Sequence, residues 1–190
     1  MNLDGILPFA RKLLEKTVKE GSLAIDATIG NGHDTVFLAR LVGESGHVFG
    51  FDVQQQALER TAALVEEHSL TGRTTLFHRG HEQASASIPE KWHGRISGAI
   101  FNLGYLPKGD KSIVTKPETT IQAVEQIFSL LQPGGLIVLV IYHGHAEGAV
   151  EKDKLLAYVK EIDQKTAHVL QYQFINQVNH PPFIIAIERR

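Results

Sequence analysis

Apolar residues along this chain recur in two ways, at helical spacing in some stretches and in short unbroken runs in others. From Leu3, the positions Ile6, Phe9, Leu13, Leu14 and Val18 follow helical spacing, with Pro8 tolerated in the first turns and Gly21 as a stop. Leu23-Ala24-Ile25 predicts a short strand ending in Asp26, and residues 34–42 a helix with Asp34 as its N-cap. Residues 48–53 read as a second strand, followed by a helix over 55–68 with Leu58, Ala62 and Val65 on one face. A third strand is expected at 74–78 and a fourth at 95–101, with a weak helix at 82–87 between them. Residues 117–131 form a helix that starts on Pro117 and turns Ile121, Val124, Phe128 and Leu131 inward. Pro133-Gly134-Gly135 stops it and leads into a fifth strand at 136–142, then a helix at 150–163.

This alternation predicts a parallel sheet covered by helices on both faces. The ending breaks it. Residues 168–178 and 183–188 are β-rich and joined by Asn179-His180-Pro181-Pro182, which leaves no room for a helix, so they pair as an antiparallel hairpin. A mostly parallel, seven-stranded α/β sheet closed by such a hairpin resembles the Rossmann-like class I methyltransferases. No repeat, low-complexity tract or linker interrupts the chain, and residues 1–190 read as one domain.

Composition narrows the function classes. Hydrophobic residues make up 43% and charged residues 21%, which is globular rather than disordered. Nineteen Lys plus Arg stand against 21 Asp plus Glu, a net charge of −2, so a nucleic-acid partner would be held by a local basic patch. The absence of cysteine excludes disulfides, zinc ribbons and thiol nucleophiles. The longest apolar run, 136–142, is too short to cross a bilayer. Asp4, with no basic head followed by an apolar stretch, speaks against a signal peptide, and a cytoplasmic protein without membrane partners is expected.

Candidate chemistry concentrates at the carboxyl ends of the strands, where α/β sheets bind ligands. Asp26-Ala27-Thr28-Ile29-Gly30-Asn31-Gly32 lies at a strand-to-helix turn, and Asp52 lies at the next strand end, twenty residues after Gly32. A glycine turn admits a ligand close to the backbone, and an acid at that spacing can accept both ribose hydroxyls. A pyrophosphate cofactor would want a third glycine and a bare helix N-terminus. Thr35 and the carboxylate of Asp34 stand there instead. S-adenosylmethionine carries no phosphate, and its amino group and sulfonium suit carboxylates. The stretch resembles the methyltransferase pattern acid-x-Gly-x-Gly-x-Gly, with Thr28 in place of the first glycine. An NAD-type site and a purely structural turn are the alternatives.

After the third strand, Arg79-Gly80-His81-Glu82 places His81 and Glu82 where an adenine would lie; the bland alternative is a polar loop opening a helix. Asn102-Leu103-Gly104-Tyr105-Leu106-Pro107 follows the fourth strand and resembles the Asn-Pro-Pro-Tyr signature of methyltransferases acting on amino nitrogens. An Asn carbonyl can accept an amine N–H and aim the lone pair, and Tyr105 can wall the pocket. A strand exit with a packed tyrosine is the structural alternative. Lys108, Lys111 and Lys116 could hold RNA phosphates beside that site; a merely solvated loop is the alternative. His143 and His145 leave the fifth strand on the same edge; no carboxylate cluster accompanies them, so no metal is expected.

The stretches 26–35, 102–110, 142–145 and 179–183 together resemble a small bacterial methyltransferase family, formerly grouped as rRNA methylases and associated with tRNA 5-aminomethyl-2-thiouridine methylation. The resemblance spans the chain from Ile6-Leu7-Pro8 to the final hairpin. It implies S-adenosylmethionine-dependent N-methylation of the wobble uridine's 5-aminomethyl group, with the tRNA anticodon stem-loop as partner and a homodimer left open. The cofactor residues it implies are Asn31, Asp34, Asp52, Gln54, His81 and Glu82, beside Asp26, Thr28, Gly30, Gly32 and Thr35 of the turn. Asn102, Tyr105 and Asp110 fall to catalysis, Asp110 as a proton acceptor. Lys108, Lys111, His143 and His145 fall to substrate binding. An rRNA or small-amine methyltransferase, or a noncatalytic S-adenosylmethionine-binding module, remain the competing readings.

Overall fold

The computed structural model describes residues 2–104 and 113–190. In chain order the elements are α1 (Ile6–Thr17), β1 (Leu23–Asp26), α2 (His33–Leu41), β2 (His47–Asp52), α3 (Gln55–Glu67), β3 (Thr74–His78) and α4 (Ala84–Ser87). They continue with β4 (Ile96–Leu103), α5 (Pro117–Leu130), β5 (Leu131–Ile141), α6 (Ala146–Lys160), β6 (Ala167–Tyr172) and β7 (Phe183–Arg189). The seven strands form one sheet in the order β3-β2-β1-β4-β5-β7-β6. The five strands β1 to β5 are parallel, and β7 runs antiparallel to both β5 and β6. The chain winds outward from β1 to β3 and then returns to β4 on the other side. The β1/β4 seam is therefore the switch point, where a crevice opens beyond the strand ends.

The near-continuous apolar runs of the central strands reflect burial on both faces. Ile137, Leu139 and Ile141 of β5, with Ile185 and Ile187 of β7, enter the core under α5 and α6. Their alternates Val138, Val140, Ile184 and Ala186 enter the opposite core, under α1, α2 and α3. Helix α1 seats Ala10, Leu13 and Leu14 in that second core. It comes so close to β4 that a Cβ at Gly98 would lie 2.7 Å from Val18 Cγ2. Glycine at position 98 is what lets the helix sit there. Stacking of Phe9 on Tyr172 at 4.0 Å and a hydrogen bond from Tyr172 Oη to the Asp4 carbonyl tie α1 to the C-terminal strands. Among the described residues, no helix is long and apolar enough to cross a membrane.

Several boundaries differ from the sequence expectation, for identifiable reasons. Gly32, at φ +80, occupies the N-cap position of α2, so Asp34 falls in the first turn and its carboxylate is used elsewhere. Strand β4 runs through Asn102 because Asn102 and Leu103 pair with Val140 and Ile141. Strand β5 begins at Leu131 opposite Ile96, shifts register across Pro133-Gly134-Gly135, and resumes at Leu136. The helix expected at 82–87 is a 3₁₀ turn, His81–Gln83, followed by the short α4. Helix α6 starts at Ala146 rather than 150. Strand β6 ends at Tyr172 rather than 178, because β7, its ladder partner among the described residues, pairs Ile184 with that residue and begins at Phe183.

Candidate functional site

A cleft of about 940 Å³ opens at the carboxyl ends of β1, β2 and β4. Its floor is the β1–α2 turn. Gly30 and Gly32 both take positive φ, +56 and +80, as a tight turn beneath a ligand requires. A Cβ at Gly32 would lie 2.7 Å from Thr61 Oγ1, so α3 also closes on this turn only because position 32 is glycine.

Asp52, at the end of β2, receives the Gly30 N–H on Oδ2 at 2.9 Å and the Gln54 N–H on Oδ1 at 2.9 Å. The two backbone donors fix the plane of the carboxylate, and each oxygen keeps a further lone pair for a ligand hydroxyl. His81 lies between the β1 end and the 3₁₀ turn, its Nδ1 3.0 Å from the Ala27 carbonyl. A carbonyl only accepts, so Nδ1 carries the proton; burial pushes the ring's pKa below its usual value, leaving Nε2 as a neutral acceptor. Glu82 and Gln54 line the same end of the cleft. Asn31 lines it too, with its Oδ1 receiving Arg60 Nη1 at 3.3 Å.

At the other end, the turn and β4 are stitched together. Thr28, which stands where the methyltransferase pattern has its first glycine, accepts the Asn102 backbone N–H on its hydroxyl at 2.7 Å. That bond gives a reason for the departure from glycine. The Asn102 side chain donates from Nδ2 to Asp34 Oδ2 at 2.9 Å. Asp34 Oδ1 in turn receives Arg11 Nε and Nη2 at 3.1 and 2.9 Å.

Asp26, Gly32 and Thr35 do not line the cleft; they shape its floor from behind. Asp26 is fully buried, with Thr35 Oγ1 donating to Oδ2 at 2.6 Å and the Thr28 N–H to Oδ1 at 3.2 Å. Burial, reinforced by the neighbouring Asp34 carboxylate, pushes its pKa up to about 7. His143 and His145 line the acceptor end of the cleft together with Tyr142 and His180. The Nε2 of His143 is enclosed without a hydrogen-bond partner among the described residues, and its ring stands edge-on to His180 and Phe183. Tyr105, Lys108, Asp110 and Lys111 lie outside the described residues. Lys116 borders the cleft.

Three contributors have no site role in the sequence reading, His180 entering it only within the 179–183 stretch. Arg11 reaches the site from α1, and His180 from the β6–β7 connection. Glu151 of α6 is 1% exposed and accepts the hydroxyls of Thr115 and Thr120, each at 2.6 Å. Thr115 also exchanges bonds with Gly104, receiving its N–H on Oγ1 and donating its own N–H to the Gly104 carbonyl, both at 3.0 Å. Glu151 therefore ties Thr115, and through it Gly104 at the end of β4, to Thr120 of α5.

The donor set suits S-adenosylmethionine. Acids cluster around the turn, Arg60 beside it bonds the Asn31 side chain, and each carboxylate oxygen of Asp52 keeps a lone pair beyond its backbone bond. Solved structures agree. The chain is 44% identical to an rRNA-methylase from Clostridium thermocellum, each chain covered over 100% of its length, with a TM-score of 0.96. It is 38% identical, with 99% of each chain covered and a TM-score of 0.89, to a methyltransferase from Streptococcus mutans solved in complex with SAH. Fold and site together define a class I methyltransferase with S-adenosylmethionine as its cofactor. The model of the family described as "Putative rRNA methylase" matches residues 48–188. The chain is also 32% identical over 188 residues to the chloroplastic tRNA (mnm(5)s(2)U34)-methyltransferase of Arabidopsis thaliana, spanning 95% of this chain and 68% of that protein. The chain belongs to this rRNA_methylase family.

Proposed function

We propose that this protein N-methylates the 5-aminomethyl group of 5-aminomethyl-2-thiouridine at the tRNA wobble position, giving 5-methylaminomethyl-2-thiouridine. The observation that carries the reading is Asn102, a side-chain amide at the β4 end of the cofactor cleft, its nitrogen bonded to Asp34 and its carbonyl without a bond among the described residues. The name of the Arabidopsis relative supports the tRNA assignment.

Bound S-adenosylmethionine supplies an electrophilic methyl group on a sulfonium. Asp52 accepts the ribose hydroxyls, His81 and Glu82 border the base, and the turn of Thr28, Gly30 and Asn31, with Gln54, lines the remainder. An aliphatic amine is mostly protonated near pH 7, by analogy with Lys at about 10.4, and an ammonium has no lone pair to donate. A cationic neighbour and a dry pocket both favour loss of that proton, with Asp110 as its acceptor. Asn102 Oδ1 then accepts one remaining N–H and aims the nitrogen. The nitrogen lone pair forms the N–C bond as the C–S bond breaks and its electron pair stays on sulfur, and the product sheds one proton. Tyr105, with Asp110 as a proton acceptor, and Lys108 and Lys111 as phosphate contacts of the anticodon stem-loop, belong to the same reading. So do substrate roles for His143 and His145, one domain over residues 1–190, and action in the cytoplasm.

The test is mass spectrometry of tRNA nucleosides from cells with and without the gene, paired with methyl transfer by purified protein. Accumulation of 5-aminomethyl-2-thiouridine without the gene, and its conversion in vitro, is the expected result. The family description favours one rival, an rRNA substrate. An unchanged tRNA profile alongside loss of a methyl group from rRNA would establish that rival instead.

A further inference from the structure

We infer that Arg11 and Asp34 form a positioning relay that holds the Asn102 amide in the one orientation able to direct an acceptor amine. This deepens the proposed function and rests on Asn102 being the acceptor-side residue.

The orientation follows from hydrogen-bond chemistry. Asp34 spends one oxygen on the Arg11 guanidinium, which donates from both Nε and Nη2. Its other oxygen lies 2.9 Å from the Asn102 amide. A carboxylate paired with a guanidinium accepts only, so the amide must turn Nδ2 toward it. Oδ1 then lies at the other edge of the planar amide, turned away from Asp34. Rotated by half a turn, Asn102 would set its oxygen against the Asp34 carboxylate and offer a donor to an amine that needs an acceptor. The backbone of Asn102 is separately pinned by Thr28, so the relay has only the side-chain torsion left to control.

Arg11 is seated for this task. Its guanidinium lies 5.1 Å from the centre of the Phe37 ring on α2, and its helix is held against β4 by the close approach at Gly98. The Asp34 side chain is only 14% exposed, while that of Arg11 is 41% exposed. Without the guanidinium, the Asp34 side chain is free to rotate about its own torsions, and its second oxygen is no longer held at 2.9 Å from the amide.

Two measurements test the relay. The first needs no turnover: the Asn102 side-chain NH₂ signals of the cofactor-free protein, assigned by their loss in Asn102→Ala, are compared between wild type and Arg11→Ala. The relay requires them to shift and their protons to exchange faster in the variant; unchanged signals overturn it. The second is a double-mutant cycle in single-turnover methyl transfer to total tRNA from a strain lacking this gene. Arg11→Ala is expected to slow transfer about 10- to 100-fold, the range for losing a charge-assisted bond. S-adenosylhomocysteine affinity should stay within about twofold. Arg11→Ala added to Asn102→Ala should then cost nothing further. Arg11→Gln, which keeps one side-chain donor, is expected to fall between and serves if the alanine variant does not fold. Additive losses, with a shallower salt dependence of tRNA binding, would make Arg11 a phosphate contact and overturn the relay. If wild type transfers no methyl group to this tRNA, the proposed function fails, and the Asn102 signals still decide the relay by themselves.

Discussion

Asp26 is a carboxylate sealed under the cofactor turn, and replacing it with asparagine should make the protein's stability less dependent on pH. Burial and the Asp34 charge raise its pKa from an ordinary 3.8 to about 7. A raised carboxylate pKa means that, between those two values, the unfolded chain loses the proton while the folded one keeps it. The unfolded state then binds fewer protons, and stability falls as pH climbs through the window. Well below pH 3.8 both states are protonated and there is no penalty. Linkage over the interval gives a cost of about 2 kcal/mol at pH 5 and about 4 kcal/mol at pH 8. Asp26→Asn keeps the shape, can still accept the Thr28 N–H, and cannot ionise. The stability difference between variant and wild type should therefore move in the variant's favour by about 2–3 kcal/mol from pH 5 to pH 8, or roughly 5–10 °C in Tm for a protein of this size. Denaturant unfolding of both proteins at pH 5, 6.5 and 8, without cofactor, isolates the effect because the other titrating groups cancel in the difference. A difference constant across that range would mean that the Thr35 and Thr28 hydrogen bonds keep Asp26 ionised throughout, and the burial argument would be wrong.

Asp52→Ala should weaken S-adenosylhomocysteine binding by about 1–3 kcal/mol in calorimetry, since an acceptor held by two backbone amides is lost; unchanged affinity would remove it from the ribose site. Gly32→Ala should destabilise the fold by about 1–3 kcal/mol through its φ of +80 and the contact with Thr61. Adding Thr61→Ala should recover the steric part but not the backbone part, and full recovery would refute the strain argument. Glu151→Ala strands the Thr115 and Thr120 hydroxyls and should cost about 2–3 kcal/mol in denaturant unfolding. Glu151→Gln should cost less, because its carbonyl still accepts one of them. Equal losses from the two variants would show that packing, rather than hydrogen bonding, holds that junction.

What could be read along the chain was what local spacing encodes. Glycine turn, strand-end Asp52 and the β-rich ending are all near neighbours or obey a periodicity, and the structure has the turn after β1, the acid at the end of β2 and the antiparallel pair at the end. The relay was not legible. Arg11 lies 23 positions before Asp34 and reads as one of several exposed bases on an amphipathic helix. Only the approach of α1 over Gly98 brings it to the turn. Glu151 was hidden for a related reason: in the run Glu151-Lys152-Asp153-Lys154 it looks like one more solvated charge, and its burial depends on α5 and α6 meeting. Asn102 was recognised but set one step too late, because strand length is decided by the partners on either side. The β5 irregularity shows the same limit, since Pro133-Gly134-Gly135 reads locally as a stop yet the ladder resumes beyond it.

The position of β7 bears on how the molecule reaches its final form. The strand is last of the seven in chain order but lies inside the sheet, between β5 and β6. A growing chain that has made β1 to β5 can assemble the parallel half, with the glycine turn and Asp52 in place, from contacts between successive elements. The edge of β5 then stays open, and β6, though already synthesised, has nothing to pair with until β7 arrives between them. Helix α1 is caught in the same delay. It was made first, yet its bed includes β7, and its tie from Tyr172 to Asp4 spans 168 positions. Closing so long a loop is slow compared with forming the helix itself. In refolding, affinity for the nucleoside half of the cofactor should therefore appear before methyl transfer does, with Arg11 docking among the last events.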